Sequence, residues 1–237
     1  MCQYEKAWQA ARERIAAAAR ACGRDPREVA LLAVSKGQPA AAVRAVHGFG
    51  QRAFGENYVQ EALAKMDALG DLCDVEWHLI GPLQSNKAGA AAVRFDWVHS
   101  VDRDKIARRL AAARPPELPP LAVCVQVNIS GETAKSGVAP AGALALARLV
   151  AGLPRLQLRG LMGIAEETAD GARQRAQFRV LADCAAACRA AGLPVDTLSM
   201  GMSADLEPAI AEGATLVRLG TAVFGPRARP AEGSAGA

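Results

Sequence analysis

The sequence predicts a closed (β/α)8 TIM barrel with one extra helix ahead of its first strand. Three observations carry this. Eight short apolar runs alternate with seven helix-length segments, and repeated βα units require a parallel sheet because each return crossover needs a helix. The chain has 237 residues, close to the roughly 250 of a single barrel of this kind. A doubly wound sheet would show a glycine-rich phosphate turn after its first strand, and Ser35-Lys36-Gly37-Gln38-Pro39 is no such motif.

Each element follows from local pattern. The opening segment sets Tyr4, Trp8, Ala11, Ile15, Ala18 and Cys22 at three- and four-residue steps with charges between them. That is an amphipathic helix, stopped by Gly23 and Asp25-Pro26. Residues 29–34 form an apolar run too short for a helix, so they read as a strand buried on both faces and ending at Ser35-Lys36. Later strands end near Gly55, Gly81, Ser100, Ser130, Ala165, Met200 and Gly220. Between them, helices are predicted over 40–46, 58–69, 85–93, 103–113, 141–151, 172–191 and 206–211. The proline-rich stretch from Arg114 to Pro120 reads as a rigid connection rather than a linker. One domain is therefore expected over 1–226, with a disordered tail over 227–237.

Composition narrows the function classes. The 28 Lys+Arg and 24 Asp+Glu leave a net charge of +4, spread along the chain without a basic block. Neither a nucleic acid nor an anionic membrane is called for. The six cysteines lack Cys-x-x-Cys spacing or matching histidines, which argues against a structural metal or a disulfide framework. Cys184 and Cys188, one helical turn apart, read as small buried helix residues rather than a redox pair. Glu5, Lys6, Arg12, Glu13 and Arg14 break any secretory leader, and no uncharged run reaches the roughly 18 residues of a span. A soluble, cytoplasmic protein is expected.

In a barrel of this kind functional groups stand at the C-terminal ends of the strands. Alternation places Leu32, Val34 and Lys36 on one face. If that face points inward, burial disfavours the ammonium form, and the free amine can condense with an aldehyde to a Schiff base. The plain alternative is a solvated lysine at a strand end. The loop after strand seven reads Ser199-Met200-Gly201-Met202-Ser203, and strand eight ends Arg218-Leu219-Gly220-Thr221. These are the usual phosphate-binding loops of the fold.

Gly201 and Gly220 admit backbone N–H groups close to an anion, and Ser199, Ser203 and Thr221 add hydroxyl donors. Ordinary turn chemistry is the competing reading. Pro208 belongs in a first helical turn, so the short helix starts near Asp205. Asp205 and Glu207 at its positive end would compete with a phosphate, leaving Gly220-Thr221 and the serine loop as the better cradle. Arg218 shares a face with Leu216 and, inside a barrel, needs a carboxylate, a carbonyl or a ligand acceptor.

A reactive lysine, a phosphate cradle and an inward cation describe a site for a phosphorylated aldehyde. Pyridoxal 5′-phosphate (PLP) fits: aldehyde to Lys36, phosphate to strands seven and eight, pyridine nitrogen to Arg218. A ring nitrogen facing a guanidinium stays unprotonated and makes a weaker electron sink than a pyridinium. Such a site favours holding the cofactor over demanding carbanion chemistry.

At this point the motifs resemble one family, the PLP homeostasis proteins of YggS/PROSC type, relatives of the alanine racemase barrel. The resemblance rests on residues 32–36 (Leu-Ala-Val-Ser-Lys), 54–61 (Phe-Gly-Glu-Asn-Tyr-Val-Gln-Glu) and 77–87 (Trp-His-Leu-Ile-Gly-Pro-Leu-Gln-Ser-Asn-Lys). It continues through His99-Ser100-Val101-Asp102, Val127-Asn128, Lys135 to Val138, Gly160 to Gly163, Leu198 to Ser203 and Val217 to Thr221. Gly37-Gln38 departs from the Thr-Lys of many members, which removes a second lysine but leaves Lys36.

The resemblance implies a PLP fold-type III barrel, monomeric or weakly associating, carrying PLP on Lys36. It implies a role in balancing B6 vitamers, with PLP-dependent apoenzymes as possible recipients, and no established catalysis. It also matches Asn57, Ser199, Met200, Ser203, Arg218, Gly220 and Thr221 to cofactor-lining positions. Asn57 could equally N-cap the helix at Tyr58, Met200 could be core, and His78 reads first as a satisfied core histidine. Lys65, Lys87 or Lys135 could hold a second PLP, against the plain reading of solvated surface lysines.

The alternative is a PLP-dependent amino-acid racemase, which needs proton donors on both faces of its substrate. The chain has two tyrosines, Tyr4 and Tyr58, neither an obvious second donor. The length is also taken up by barrel, leading helix and tail, without the additional domain of a racemase. A Schiff-base aldolase is the third reading, and it would carry no chromophore.

Overall fold

Alanine-rich helices lie close against a barrel of short, mostly buried strands. The computed structural model describes residues 3–132 and 135–226. The expected tail at 227–237 lies outside the described residues. Among those described, eight parallel strands close in chain order. They are β1 Ala30–Val34, β2 Ala53–Glu56, β3 Glu76–Leu79, β4 Trp97–Val101, β5 Leu121–Val127, β6 Leu156–Gly163, β7 Thr197–Ser199 and β8 Leu216–Leu219. Helix α1, Gln3–Ala21, precedes them. The helices that follow the strands in turn are α2 Ala40–Gly48, α3 Val59–Ala68, α4 Ala88–Arg94, α5 Asp104–Ala113, α6 Pro140–Ala151, α7 Gly171–Ala190, α8 Leu206–Ala211 and α9 Thr221–Phe224. Pairing of Ala30 with Leu216 through Ala33 with Leu219 closes the barrel.

The elements form where residue pattern and burial agree. In β5 all seven residues are buried, as a strand covered by helices on one side and the barrel interior on the other requires. In α5, Ile106, Ala107, Leu110 and Ala111 face the sheet while Lys105, Arg108 and Arg109 stay exposed, the apolar stripe of a helix laid on a core. Asp170 caps α7 by accepting from the N–H groups of Ala172 and Arg173 at 2.9 and 3.1 Å. Buried Arg114 stiffens the proline-rich connection, donating to the carbonyls of Ala92, Phe95 and Pro119 at 2.7, 2.9 and 2.8 Å.

Helix α1 packs on α2, α8 and α9, covering the seam where the barrel closes. Trp8, Ala11, Ile15, Ala18 and Ala19 form its buried face, and Trp8 donates Nε1–H to Gln51 at 3.0 Å. Cys22 does not join that face: it lies past the helix end and is exposed. Burial of β1 is complete only over Leu32, Ala33 and Val34, because Ala30 emerges at the N-terminal mouth. The third and fourth helices start later than expected, at Val59 and Ala88, and α9 was not foreseen. A single turn carries no periodicity to read. Cys184 is half-buried, Cys188 is buried, and burial pushes both thiols up. No helix among the described residues is long and apolar enough to cross a membrane.

Candidate functional site

A cavity of about 380 Å³ opens among the C-terminal ends of the strands. Six of the eight residues expected there line it: Lys36, Asn57, Ser203, Arg218, Gly220 and Thr221. Val34 stands below Lys36 in the same wall, so the face carrying Val34 and Lys36 does point inward. Ser199 and Met200 are not in the lining. Met200 is buried in the layer between barrel and helices, and Ser199 lies beneath the cavity floor, bonded to Arg218 and His99.

Lys36 is held by its neighbours on the chain. Lys65 Nζ, on α3, donates to the carbonyl of Ser35 at 2.6 Å, and Glu61 Oε1 accepts from the N–H of Gly37 at 2.6 Å. Both peptide groups flanking the Lys36 Cα are thus pinned by one cluster. Lys65 also pairs with Glu56 Oε1 at 2.6 Å and Glu61 Oε1 at 2.7 Å, and Ser35 Oγ donates to Glu56 Oε1 at 2.5 Å. Lys65 is only 5% exposed, which corrects the reading of a solvated surface lysine. Lys135 pairs with Glu132 at 2.5 Å and donates to the Ala165 carbonyl at 3.2 Å. Lys87 occupies the N-cap position of α4. None of these three lines the cavity.

Asn57 does not cap α3. Tyr58 takes the N-cap position without a side-chain bond, and Asn57 Oδ1 is buried with no hydrogen-bond partner. A buried acceptor in a cavity wall is costly until a ligand donor meets it. The backbone there is fixed by Gly81, where a Cβ would stand 2.2 Å from the Asn57 carbonyl oxygen, so only glycine admits the contact.

Arg218 is 4% exposed. Its Nη1 donates to the Ser199 carbonyl at 2.5 Å and to Ser199 Oγ at 2.9 Å, and its Nη2 to the Gly163 carbonyl at 2.9 Å. The carbonyl reading therefore holds, and Arg218 also lines the cavity. Burial brings its pKa down to about 10, so it remains a cation at neutral pH. Asp205 turns its carboxylate back onto the N–H of Met202 at 2.5 Å, and Glu207 pairs with Arg14 at 2.6 Å. Of the two acids expected to oppose an anion, Glu207 is thus engaged outside the cavity, while Asp205 stays in its lining, bonded to the Met202 N–H. Ser203, Gly220 and Thr221 remain in the wall, with α9 starting at Thr221, where the first N–H groups of a helix have no intrahelical partner.

Sequence reasoning missed the file of His78, His99 and Ser199 under Arg218, and the Glu56–Lys65–Glu61 cluster beside Lys36. Only the four-residue spacing of Glu61 and Lys65 signalled the second. It also missed the wall formed by Glu166, Glu167, Thr168 and Gln174 after β6. Among the described residues no group of three or more His, Cys, Asp or Glu side chains could hold a metal ion.

The family model of the alanine racemase N-terminal domain matches residues 8–228. The pyridoxal phosphate homeostasis protein of Pseudomonas aeruginosa is 59% identical over 214 residues, covering 90% of this chain and 91% of that protein. Its namesake in Escherichia coli K12 is 51% identical over 218 residues, covering 91% and 93%. The structure of PipY from Synechococcus elongatus with PLP bound matches with a TM-score of 0.78 at 43% identity, over 89% of this chain and all of that one (100%). With identity of this extent across a single closed barrel, the chain belongs to the pyridoxal phosphate homeostasis protein family, built on the alanine racemase N-terminal domain.

Proposed function

We propose that this chain holds PLP as a Schiff base on Lys36 and serves PLP and vitamin B6 homeostasis without turnover of its own. The convergence of Lys36, Ser203, Gly220, Thr221 and Arg218 on one cavity is the observation that carries the reading. PLP supplies an electrophilic aldehyde. Lys36 would supply the amine that holds it there, the aldehyde oxygen being released as water. Ser203 and the backbone at Gly220 and Thr221 would hold its phosphate, and Arg218 would face its ring nitrogen, with Asn57 in the same wall. Ser199 acts from below by holding Arg218, and Met200 by packing the strand that carries it.

The names of the relatives and the PLP in PipY support the same reading. A racemase finds no support in the tyrosines. Tyr58 is 64% exposed, Tyr4 packs edge-on to Phe224 with ring centroids 6.3 Å apart, and neither lines the cavity. We place the protein in the cytoplasm as a monomer or weak dimer that exchanges PLP with apoenzymes, as its resemblance to the PLP homeostasis family implies.

Purified protein mixed with PLP is expected to show the visible absorbance band of a Schiff base, and Lys36→Ala to lose it. A protein that takes up no PLP, or a Lys36→Ala variant that keeps the band, rules this reading out. Racemisation of amino acids at ordinary enzyme rates would overturn the carrier role alone.

A further inference from the structure

Barrel interiors of this architecture are filled mainly by branched aliphatic side chains, yet a continuous file of polar groups crosses this one. Glu76 opens β3 at the N-terminal mouth with its side chain 46% exposed. His78 follows on the same face, its Nε2 3.4 Å from Glu76 Oε2. That is an ion-pair separation, and His78 Nε2 makes no hydrogen bond. His78 Nδ1 lies 2.9 Å from His99 Nε2, and His99 Nδ1 lies 2.8 Å from Ser199 Oγ. Arg218 then donates to Ser199 Oγ. Both histidines are buried. Trp97 stacks on His78 with centroids 5.2 Å apart and donates its indole N–H to Glu76.

With a donor at one end and an acceptor at the other, one direction of donation serves every member of the file. A guanidinium can only donate and a carboxylate can only accept. Ser199 accepts from Arg218 and turns its own O–H to His99 Nδ1. His99 therefore carries its proton on Nε2 and donates it to His78 Nδ1, and His78 keeps its proton on Nε2, toward Glu76. Burial, with His78 and Arg218 beside it, pushes His99 well below the ordinary imidazole range, so it stays neutral.

We propose that His99 and His78 are positioning residues that lock Arg218 through Ser199, and thereby keep the ring nitrogen of bound PLP unprotonated. This rests on the reading above that Arg218 faces that nitrogen. Removing His78 leaves the His99 tautomer undetermined. If His99 takes its proton to Nδ1, it becomes a second donor to Ser199 Oγ and disturbs the acceptor that holds the guanidinium. A remote change at the opposite mouth then reaches the pocket.

The test uses the full chain loaded with PLP isotopically labelled at its ring nitrogen, whose magnetic resonance reports protonation directly. The wild type is expected at the unprotonated position. His78→Leu is expected to move the resonance toward the protonated side and weaken PLP binding about tenfold, the equivalent of one charge-assisted hydrogen bond. Glu76→Gln changes a half-exposed side chain and keeps an acceptor for Trp97, and is expected to move the resonance the same way by less. It decides the matter alone if His78→Leu does not fold. Arg218→Glu separates the two ideas. If it leaves the resonance unchanged, Arg218 does not face the nitrogen and the proposal falls with that reading. If it moves the resonance while His78→Leu and Glu76→Gln match the wild type in resonance and affinity, the reading stands and the relay is wrong.

Discussion

Lys65 shows how one side chain can organise a site it does not enter. Its ammonium holds Glu56, Glu61 and the Ser35 carbonyl at 2.6 to 2.7 Å, and it is buried with Glu56 and Ser35. Truncating one partner of a buried ion pair strands the other, so Lys65→Met is expected to cost about 3–5 kcal/mol, read as a fall in the denaturant midpoint. Glu56 shows the balance within the cluster. Burial pushes its carboxyl up and outweighs Lys65 and Ser35, which pull it down, and its second oxygen has no partner. The folded state thus holds that proton to higher pH than the unfolded chain. The stability it contributes is present below the ordinary carboxylate value and lost as pH rises through the folded value. Glu56→Gln should flatten that decline in unfolding measurements made across the range, and an unchanged pH profile would refute it. The Glu61 and Lys65 spacing was legible along the chain, whereas Glu56 comes from β2 and joins only through the fold.

The loop from β7 to α8 lines the cavity through Met202, Ser203, Ala204 and Asp205. Gly201 has φ of 93°, and a Cβ there would stand 2.7 Å from Ala209 Cβ. Its carbonyl accepts the N–H of Arg218 at 2.9 Å. Gly201→Ala is expected to cost about 1–3 kcal/mol through backbone strain and crowding, and to weaken PLP binding as Ser203 shifts. Chemical denaturation and a PLP titration of the same variant check both effects. Helix α1 holds this loop from outside, since Arg14 binds the Ser203 carbonyl at 2.8 Å and Glu207 at 2.6 Å. The periodicity of α1 was readable. Its service to the Ser203 loop was not, because the loop lies 189 residues away along the chain.

For the molecule as a whole, PLP that binds only the folded barrel must stabilise it. At about 100 times the dissociation constant the gain is about 2.7 kcal/mol, and Lys36→Ala should forfeit most of it. Unfolding curves with and without PLP, for both proteins, measure the difference. By itself the sequence determined the closed parallel barrel, the shared face of Leu32, Val34 and Lys36, and the strand that bears Arg218 and leads into Gly220 and Thr221. Each follows from a local period or from a fixed relation between strand ends and the mouth of a parallel barrel. Tertiary structure alone decided that Ser199 supports Arg218 from beneath, that Lys65 is buried against Glu56, and that Asn57 leaves an acceptor open. It also decided that two histidines join Glu76 to Arg218 through the barrel interior. The physical reason is that hydrogen bonds and ion pairs of this kind depend on separations of about 3 Å, which closure of the barrel sets between residues far apart in the chain.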